Sequence, residues 1–404
     1  MQELQCIRLV VILLLVLSHC KQLHAVESKP HFPDFSWQTI PRWGFLSFEG
    51  DSITNKEANY IAMNYPIATL FWLPRGHIEN RQQAESQILR SAKQIKEINP
   101  TIRLLYYWNS TLANDHYSAF REFEAKPSWM MTDKHGEPVT VRGDVLRYNV
   151  ADPGLRDWWS EHAAKAVRSP YLDGIFADAV AKVELNRRNV YEAKMRPGDF
   201  EDAVAGMHTM LALTQQKMGE GKLLVYNGIR GDLRPGMWSH GGAVYLKEAD
   251  GACMEHFLIH SARRPSGELR VEHVLLDIEL IRAAAAQGKL VLVKAWPQSA
   301  TFLDPHFKRM SNETKKSILK EELLFPLSLF LIAAEENCYF NYGFGYRREC
   351  LPLHHLSEYD QPLGAPLEAA VQTGMQFSRR FEHATVRVDL KTQIGQINWH
   401  DESP

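Results

Sequence analysis

Two short segments of the sequence each end in a carboxylic acid directly after a run of apolar residues. Residues 172–178 read Leu-Asp-Gly-Ile-Phe-Ala-Asp, and residues 251–255 read Gly-Ala-Cys-Met-Glu. Hydrolysis of a glycosidic bond needs two facing carboxyl groups, one acting as general acid and the other as nucleophile or base. Their surroundings must also separate the two pKa values. The pattern therefore predicts Asp178 and Glu255 as a catalytic pair.

Eight short apolar runs must hold these acids in place. They cover residues 43–48, 67–73, 102–108, 172–177, 223–227, 252–257, 290–296 and 338–342. Such runs are typical of strands buried on both faces of a parallel sheet. Their alternation with helical patterns predicts an α/β fold, a (β/α)8 TIM-type barrel with a short C-terminal β extension. A doubly wound open sheet is the alternative, but the dinucleotide glycine fingerprint is missing after the first strand.

Helical patterns lie between most of the apolar runs. Residues 84–95, 155–167, 200–211 and 271–281 each place apolar side chains on one helical face. Asp152 is predicted to cap a helix whose first residue is Pro153. Ser311 is expected to cap a long helix that continues to Ala334 and is kinked by Pro326.

The active sites of such barrels lie at the C-terminal ends of the strands, so the polar and aromatic residues there are candidates for substrate binding. These are Glu49, Trp72, Arg75, Tyr107, Asn109, Asn227, Lys294, Trp296 and Tyr342. Aromatic rings can stack on the apolar faces of sugars, and the polar groups can bind hydroxyls. Two or more cations at this rim would suit an anionic sugar, although they could equally pair with Glu49 and Asp178. Asp173 is expected to fix a turn and not to react.

The motif Asp-Gly-Ile-Phe-Ala-Asp at residues 173–178, followed two strands later by Glu255, resembles a known group of enzymes. It is similar to the glycosyl hydrolase families related to the α-galactosidase and endo-α-1,4-polygalactosaminidase barrels. The resemblance implies that Asp178, on the fourth strand, is the nucleophile and that Glu255, on the sixth, is the acid/base. The α-galactosidase group has Asp at the second position, where this chain has Glu. Residues 377–381 and 386–388 are also similar to a segment that closes many such barrels.

The first residues of the chain are predicted to be a secretory signal peptide that covers residues 1–25. Arg8 precedes the apolar run 9–17, and Ala25 offers a small residue for cleavage. The run is too short for an ordinary transmembrane helix. We expect a secreted or periplasmic protein with no transmembrane segment in the mature chain. A lipoprotein anchored at Cys20 is the alternative, disfavoured by His19 where a small residue is usual.

The mature chain is expected to divide into a catalytic barrel over residues 26–350 and a C-terminal extension over residues 351–404. The extension contains a helical pattern near residues 367–381, followed by an alternating pattern typical of a β-hairpin. Cleavage of the signal peptide would leave three cysteines, too few for a disulfide scaffold. Cys338 and Cys350 bracket one loop, and the sequence leaves their pairing open.

Composition and missing motifs narrow the functional class. The 404 residues are 45% hydrophobic and 23% charged, with a formal net charge of -2. This balance disfavours a nucleic-acid or membrane-surface partner. No His-x-x-x-His pattern, phosphate-binding glycine loop or Gly-x-Ser-x-Gly motif is present, so we expect neither a metal nor another cofactor.

The sequence as a whole indicates a secreted glycoside hydrolase that cleaves a poly- or oligosaccharide with two carboxylates. Two alternatives remain open at this stage. One is a catalytically inactive barrel that binds carbohydrate, and the other is a metal-dependent barrel hydrolase, since barrels support many chemistries. Retention or inversion depends on the separation of the carboxyl groups, which the sequence leaves open.

Overall fold

A computed structural model describes residues 31–50, 52–74, 83–231, 241–259, 262–263, 267–300, 302 and 305–400. The predicted signal peptide and Arg75 lie outside this part of the chain. The strands are β1 (Gly44–Glu49), β2 (Ile67–Leu73), β3 (Arg103–Asn109), β4 (Thr140–Val141), β5 (Val145–Leu146), β6 (Gly174–Asp178), β7 (Leu223–Asn227), β8 (Gly251–Phe257), β9 (Leu290–Ala295), β10 (Cys338–Tyr342), β11 (Val371–Thr373), β12 (Gln376–Arg380), β13 (Ala384–Asp389) and β14 (Ile394–Trp399).

The α-helices of the described chain alternate with these strands. They are α1 (Asn55–Asn64), α2 (Ala84–Ile98), α3 (Phe120–Glu124), α4 (Pro153–Val167), α5 (Lys182–Leu185), α6 (Asp199–Met218), α7 (Val271–Ala286), α8 (Asn312–Glu321) and α9 (Leu324–Ala333). A π-helical turn spans Arg187–Glu192, and 3-10 turns span Pro127–Trp129, Ala243–Glu248, Phe307–Arg309, Arg348–Cys350 and Ser357–Asp360. No helix in the described part of the chain is long and apolar enough to cross a membrane.

Eight strands form one parallel sheet in the order β1-β2-β3-β6-β7-β8-β9-β10. The sheet closes on itself next to β1, where the backbone N–H of Trp43 donates to Phe340 O at 3.1 Å and that of Phe340 donates to Pro41 O at 2.8 Å. The predicted (β/α)8 barrel with a C-terminal β extension is therefore confirmed. Each predicted apolar run overlaps one observed strand, because strands covered on both faces have no polar positions to interrupt them.

The apolar side chains fill two separate layers. One layer fills the inside of the barrel and includes Trp43, Phe45, Tyr107 and Phe176. The aromatic rings there pack edge to face or stacked, with Phe45 and Phe176 centroids 5.5 Å apart. The second and larger layer lies between the strands and the surrounding helices, and it includes Trp72. The interior is thus a solid core that supports whatever lies at the rim of the barrel.

Strands β6 and β8 begin with the same hydrogen-bonding arrangement. The Asp173 carboxylate accepts the Leu104 N–H of β3 at 2.7 Å, and the Asp250 carboxylate accepts the Leu224 N–H of β7 at 3.0 Å. The N–H of each aspartate donates to the carbonyl of the same leucine, both at 2.8 Å. Each aspartate is therefore paired twice with the neighbouring strand. The predicted structural role of Asp173 agrees with these contacts.

A glycine follows each of these aspartates, and the backbone leaves no room for a side chain there. A Cβ on Gly174 would lie 2.2 Å from Leu223 O, and one on Gly251 would lie 2.5 Å from Leu290 O. Glycine is required because the next strand approaches too closely for any other residue. The Asp-Gly pairs therefore fix both the register and the spacing at the lower end of the barrel.

Two predicted helix caps are present, but one predicted helix is wrong. The Asp152 carboxylate caps α4, and Ser311 Oγ accepts the Thr314 N–H at the start of α8. The long helix expected after Ser311 is instead two helices, α8 and α9. Pro326 is the third residue of α9, in the first turn, where its missing N–H costs no intrahelical hydrogen bond. The proline therefore lies at the start of a new helix and does not kink an old one.

The chain after the barrel contains a four-stranded antiparallel sheet, β11-β12-β13-β14. The helical pattern predicted near residues 367–381 is wrong, since this stretch forms β11 and β12. Gly374, at φ 61°, provides the tight turn between them. Within β12, Phe377 and Arg379 are both buried and alternate with more exposed residues, which is the period of a strand.

The three cysteines in the described part of the chain are buried and unpaired. Cys253 lies in β8, Cys338 in β10 and Cys350 in a 3-10 turn. The pairing of Cys338 with Cys350 that the sequence left open is thus not present. Burial raises the pKa of Cys350 to about 11, which keeps its thiol protonated.

Arg379 joins the C-terminal sheet to the barrel. Its side chain is only 2% exposed, and its guanidinium donates to the Leu331 and Ala334 carbonyls at the end of α9. It also donates to the Glu335 carboxylate at 3.1 Å. The last carbonyls of a helix have no intrahelical donor and carry partial negative charge, so a cation satisfies them well.

We predict that Arg379→Met lowers the free energy of unfolding by about 3 kcal/mol, because it leaves buried carbonyls without a donor. The matched control is Arg380→Met, in which an exposed arginine loses its pair with Glu368. That change should leave the free energy of unfolding nearly unchanged, because an exposed ion pair contributes little. Urea unfolding of both variants measures the difference. Equal losses in the two variants would contradict the role given to Arg379.

Candidate active site

The upper ends of β6 and β8 have unusual backbone geometry. Asp178 is the last residue of β6, and the following Ala179 has φ 65°. The register of β8 shifts between Met254 and Phe257, and the following Leu258 also has φ 65°. A β-bulge changes the direction in which a side chain points. A non-glycine residue in the left-handed region is strained, and such residues cluster at functional sites. Both strands therefore turn sharply at their acidic residues.

Asp178 is held by amide and phenol donors from neighbouring strands. Its Oδ2 accepts hydrogen bonds from Tyr107 OH at 2.5 Å and from Asn109 Nδ2 at 3.0 Å. Its Oδ1 accepts from Asn227 Nδ2 at 2.8 Å. Both oxygens thus face amide N–H groups, and an ionised carboxylate, which only accepts, matches such donors.

Asn227 connects the two acids. Its Nδ2 donates to Asp178 Oδ1 at 2.8 Å and to Glu255 Oε2 at 2.7 Å. Because one nitrogen contacts both oxygens, these oxygens lie no more than about 5.5 Å apart. The two carboxyl groups that the sequence predicted as a pair therefore face each other at the rim.

The surroundings of Glu255 favour its protonated form. Burial is the largest cause that raises its pKa, and the negative charge of Asp178 raises it further. The hydrogen bond from Asn227 and the charges of Arg230 and Lys182 oppose this rise without reversing it. Glu255 can therefore hold a proton at a pH where an exposed glutamate has lost it.

Three further groups contact Glu255. Tyr346 OH lies 3.4 Å from Oε1, and His256 Nε2 lies 3.6 Å from Oε2. Trp296 Nε1 donates to the Glu255 backbone carbonyl at 2.6 Å. Tyr346 is itself fixed by stacking on Phe45, with ring centroids 4.0 Å apart. Glu255 is thus oriented from the β9 and β10 side of the barrel.

Four of the predicted binding residues lie at this site, namely Tyr107, Asn109, Asn227 and Trp296. Their polar atoms contact the acids or the nearby backbone. Asn109 Oδ1, for example, accepts the N–H groups of Thr111 and Leu112 at 3.0 Å and 2.7 Å. These contacts make the four residues supports of the acidic pair.

Three of the predicted binding residues do not offer a surface to a substrate. Trp72 is 1% exposed and belongs to the outer core, as does Tyr342. Lys294 is fully buried, and its ammonium donates to the carbonyls of Gly343 and Ala295 at 2.6 Å and 3.0 Å. Burial lowers the pKa of Lys294 to about 7. The prediction of sugar contacts is corrected for these residues, which support the barrel wall.

The remaining predictions concern Glu49, Arg75 and metals. Glu49 ends β1 and is half-buried, with its backbone carbonyl accepting from Arg348 at 3.2 Å. Arg75 lies outside the described residues. In the part of the chain that the structure covers, no three His, Cys, Asp or Glu side chains converge as metal ligands do.

Sequence reasoning missed Tyr346 and Lys182. Tyr346 follows the segment Gly343-Phe344-Gly345, and Lys182 lies in a helix of four residues. Neither ends an apolar run, so a search for polar residues at strand ends passes over both. The signal available was their closeness in sequence to strand ends, within four residues of Tyr342 and Asp178.

The sequence matches the profile of the family described as Hypothetical glycosyl hydrolase family 15 over residues 96–385. This range includes both acids, Asn227 and most of the barrel strands. No curated protein matches the chain in sequence.

Solved structures of several carbohydrate-active enzymes are similar to the chain at low identity. A cycloisomaltooligosaccharide glucanotransferase from Paenibacillus sp. is 13% identical with a TM-score of 0.42, covering 65% of this chain and 39% of its own. An α-galactosidase from Thermus thermophilus is 13% identical with a TM-score of 0.43, covering 90% and 68%. An α-amylase from Geobacillus thermoleovorans is 12% identical with a TM-score of 0.47, covering 88% and 87%. The chain thus spans well under half of the glucanotransferase.

The raised pKa of Glu255 predicts a stability difference that depends on pH. A raised folded pKa gives stability that is present below the pKa of the unfolded carboxyl and is lost as the pH rises through the folded pKa, so ionised Glu255 destabilises the native protein. Glu255→Gln should therefore raise Tm by roughly 2 °C at pH 8, with the gain disappearing near pH 4. Calorimetry at both pH values measures it. Glu97→Gln, which alters an exposed residue of α2, is the control. A lower Tm for Glu255→Gln at pH 8 would contradict the prediction.

Proposed function

Since the chain belongs to the family described as Hypothetical glycosyl hydrolase family 15, we propose that it cleaves O-glycosidic bonds of a poly- or oligosaccharide with Asp178 and Glu255 as its reacting carboxyls. The observation that carries this proposal is the single Asn227 nitrogen that contacts both acids. Hydrolysis of a glycosidic bond requires two carboxyl groups held close together, and in barrels of this type the active site lies at this rim.

The roles of the two acids follow from their different hydrogen bonds. Asp178 accepts three hydrogen bonds and acts as the nucleophile, since its charge is supported while its rim position leaves it half-buried. Glu255 has a raised pKa because of burial and the nearby Asp178 charge, and it acts as the general acid. Such a division between two neighbouring acids is how glycosidases separate the acid from the nucleophile.

In the proposed reaction, an Asp178 oxygen bonds to the anomeric carbon as the bond from that carbon to the leaving oxygen breaks. Glu255 gives its proton to the leaving oxygen at the same time. The ionised Glu255 then removes a proton from water, whose oxygen bonds to the anomeric carbon and releases Asp178. Both acids return to their starting states, so no further reactant is consumed.

An aromatic wall supports carbohydrate as the substrate. Trp296, which contacts the Glu255 backbone, stacks on Phe302 with ring centroids 5.9 Å apart. Phe302 is 41% exposed, so it offers a ring face to solvent close to the acids. Sugar rings bind to such faces through their apolar C–H surfaces. We propose that the exposed Phe302 ring, supported by Trp296, binds the substrate in place of the predicted Trp72 and Tyr342.

We also propose that the protein is exported to the periplasm or the medium, with residues 1–25 as the signal peptide. The basic residue, apolar run and small residue of that segment support this proposal. A mature chain that begins at Val26 in the exported protein would support it, and an unprocessed chain retained inside the cell would contradict it.

We predict that the purified protein releases reducing ends from at least one member of a broad glycan panel, and that Asp178→Asn lowers this rate roughly a thousandfold or more. The change removes the nucleophile while keeping the shape of the side chain. Asp157→Asn, an exposed position of α4, is the control and should retain full activity. A fully active Asp178→Asn variant would remove Asp178 from the mechanism. Binding of a glycan without any turnover would favour the inactive carbohydrate-binding barrel.

We further predict that hydrolysis retains the anomeric configuration. Retaining enzymes hold their carboxyl groups about 5–5.5 Å apart, whereas inverting enzymes leave about 6.5–9.5 Å for a water molecule. The Asp178 and Glu255 oxygens that share the Asn227 nitrogen lie no more than about 5.5 Å apart, which is closer than the inverting range. Proton NMR of the first product formed identifies its anomer before mutarotation. An inverted first product would contradict the double-displacement route.

A further inference from the structure

The segments that follow β3, β6 and β7, at the end of the barrel where the two acids lie, each carry a positively charged residue. Lys182 is the first residue of α5, four residues after Asp178. Arg230 follows Asn227 by three residues at the end of β7. Arg142 lies in the turn between β4 and β5, within the long segment that joins β3 to β6.

The β4–β5 hairpin is attached directly next to the acidic pair. Leu112 pairs with Arg147, and the Ala113 N–H donates to Leu146 O at 2.9 Å. Leu112 lies three positions after Asn109, and Asn109 is hydrogen-bonded to Asp178. The hairpin segment thus stands at the rim on the side of β3 and β6, and Arg142 is at its exposed tip.

Lys182 lies next to the loop that follows Asn227. A Cβ on Gly228 would lie 3.0 Å from Ala181 Cβ, so the start of α5 packs directly against the end of β7. The Lys182 side chain is nevertheless exposed to solvent. Lys182 therefore begins α5 beside the strand end that carries Asn227, with its side chain accessible to a bound molecule.

The electrostatics agree with this placement. Partial burial lowers the pKa of Lys182, and the charges of Arg230 and Arg142 lower it further. Asp178 and Glu255 act in the opposite direction. Lys182 is thus within electrostatic range of both acids and of the other two cations. Within the described part of the chain, neither Lys182 nor Arg142 forms a direct ion pair with a carboxylate.

We propose that Lys182 and Arg142 bind an anionic group of the substrate, so that the glycan cleaved carries carboxylate or sulfate groups on its sugars. This inference rests on the proposed function and adds the substrate class. Exposed cations beside a reacting centre attract a negatively charged substrate and orient it through charge-assisted hydrogen bonds.

The direct test is a binding measurement that does not depend on turnover. Calorimetric titrations use the Asp178→Asn protein with oligogalacturonate, with a sulfated chondroitin oligosaccharide, and with oligogalacturonate whose carboxyls have been reduced to alcohols. We expect at least one anionic oligosaccharide to bind ten times more tightly or better than the reduced, neutral one. Added salt should weaken this binding. The anionic probe that binds more tightly identifies whether the site recognises carboxylate or sulfate.

Variants of the two cations then test the assignment. In the same background, Lys182→Met and Arg142→Met should each weaken binding of the anionic oligosaccharide about tenfold, the typical worth of one charge-assisted hydrogen bond. Their binding of the neutral oligosaccharide should not change. Lys165→Met, an exposed lysine of α4, is the matched control and should behave as the parent does. Unchanged Tm values establish that the variants fold normally.

The outcomes separate this inference from the proposed function. Equal binding of anionic and neutral oligosaccharides, no binding of either anionic probe, or no effect of either variant would overturn the inference. Cleavage of neutral glycans by the wild-type protein would then leave the glycosidase proposal standing. Tight, Lys182-dependent binding of an anionic glycan, together with no turnover of any glycan in the panel by the wild-type protein, would support anionic recognition at this site and overturn the glycosidase proposal.

Discussion

The hydrogen bonds of two aspartates at the bottom of the barrel determine where the acids emerge at the top. Asp173 and Asp250 each accept the N–H of a leucine on the preceding strand and return their own N–H to its carbonyl. Asp178 and Glu255 lie five residues beyond them. Since side chains alternate along a strand, a slip of one residue would turn either acid out of the barrel. The repeated anchor therefore brings both carboxyls to the same rim and the same side.

Closeness alone would leave two equivalent acids, and their neighbours make them different. Asp178 has donors from β3 and β7, whereas Glu255 has the shared Asn227 nitrogen and the more distant Tyr346 hydroxyl. The acid with fewer donors is the one whose pKa burial raises. This asymmetry carries a stability cost, because a buried acid held near another negative charge favours unfolding. The protein accepts that cost where the proposed chemistry needs a proton donor.

The sequence was informative about strands and less so about which face each residue occupies. Unbroken apolar runs predicted all eight barrel strands, and the acids at their ends gave Asp178 and Glu255. The same runs hide the alternation of side chains, because both faces of these strands are buried. Tyr107, inside the barrel, and Trp72, outside it, therefore looked alike. Lys294 was misjudged for a related reason, since backbone carbonyls that satisfy a buried ammonium leave no mark in a sequence.

The division between strands and loops suggests how reaction and selectivity are separated in this molecule. The acids and Asn227 lie on strands, where the hydrogen-bonding register with the neighbouring strands fixes their positions. Arg142 and Lys182 belong to the segments that follow β3 and β6, which can change length and charge without disturbing the barrel. Under the proposed mechanism, the strands provide the bond-breaking pair. The hairpin after β3 and the short helix after β6 add the positive charge that selects among sugars, so substrate preference can change while the acids stay in place.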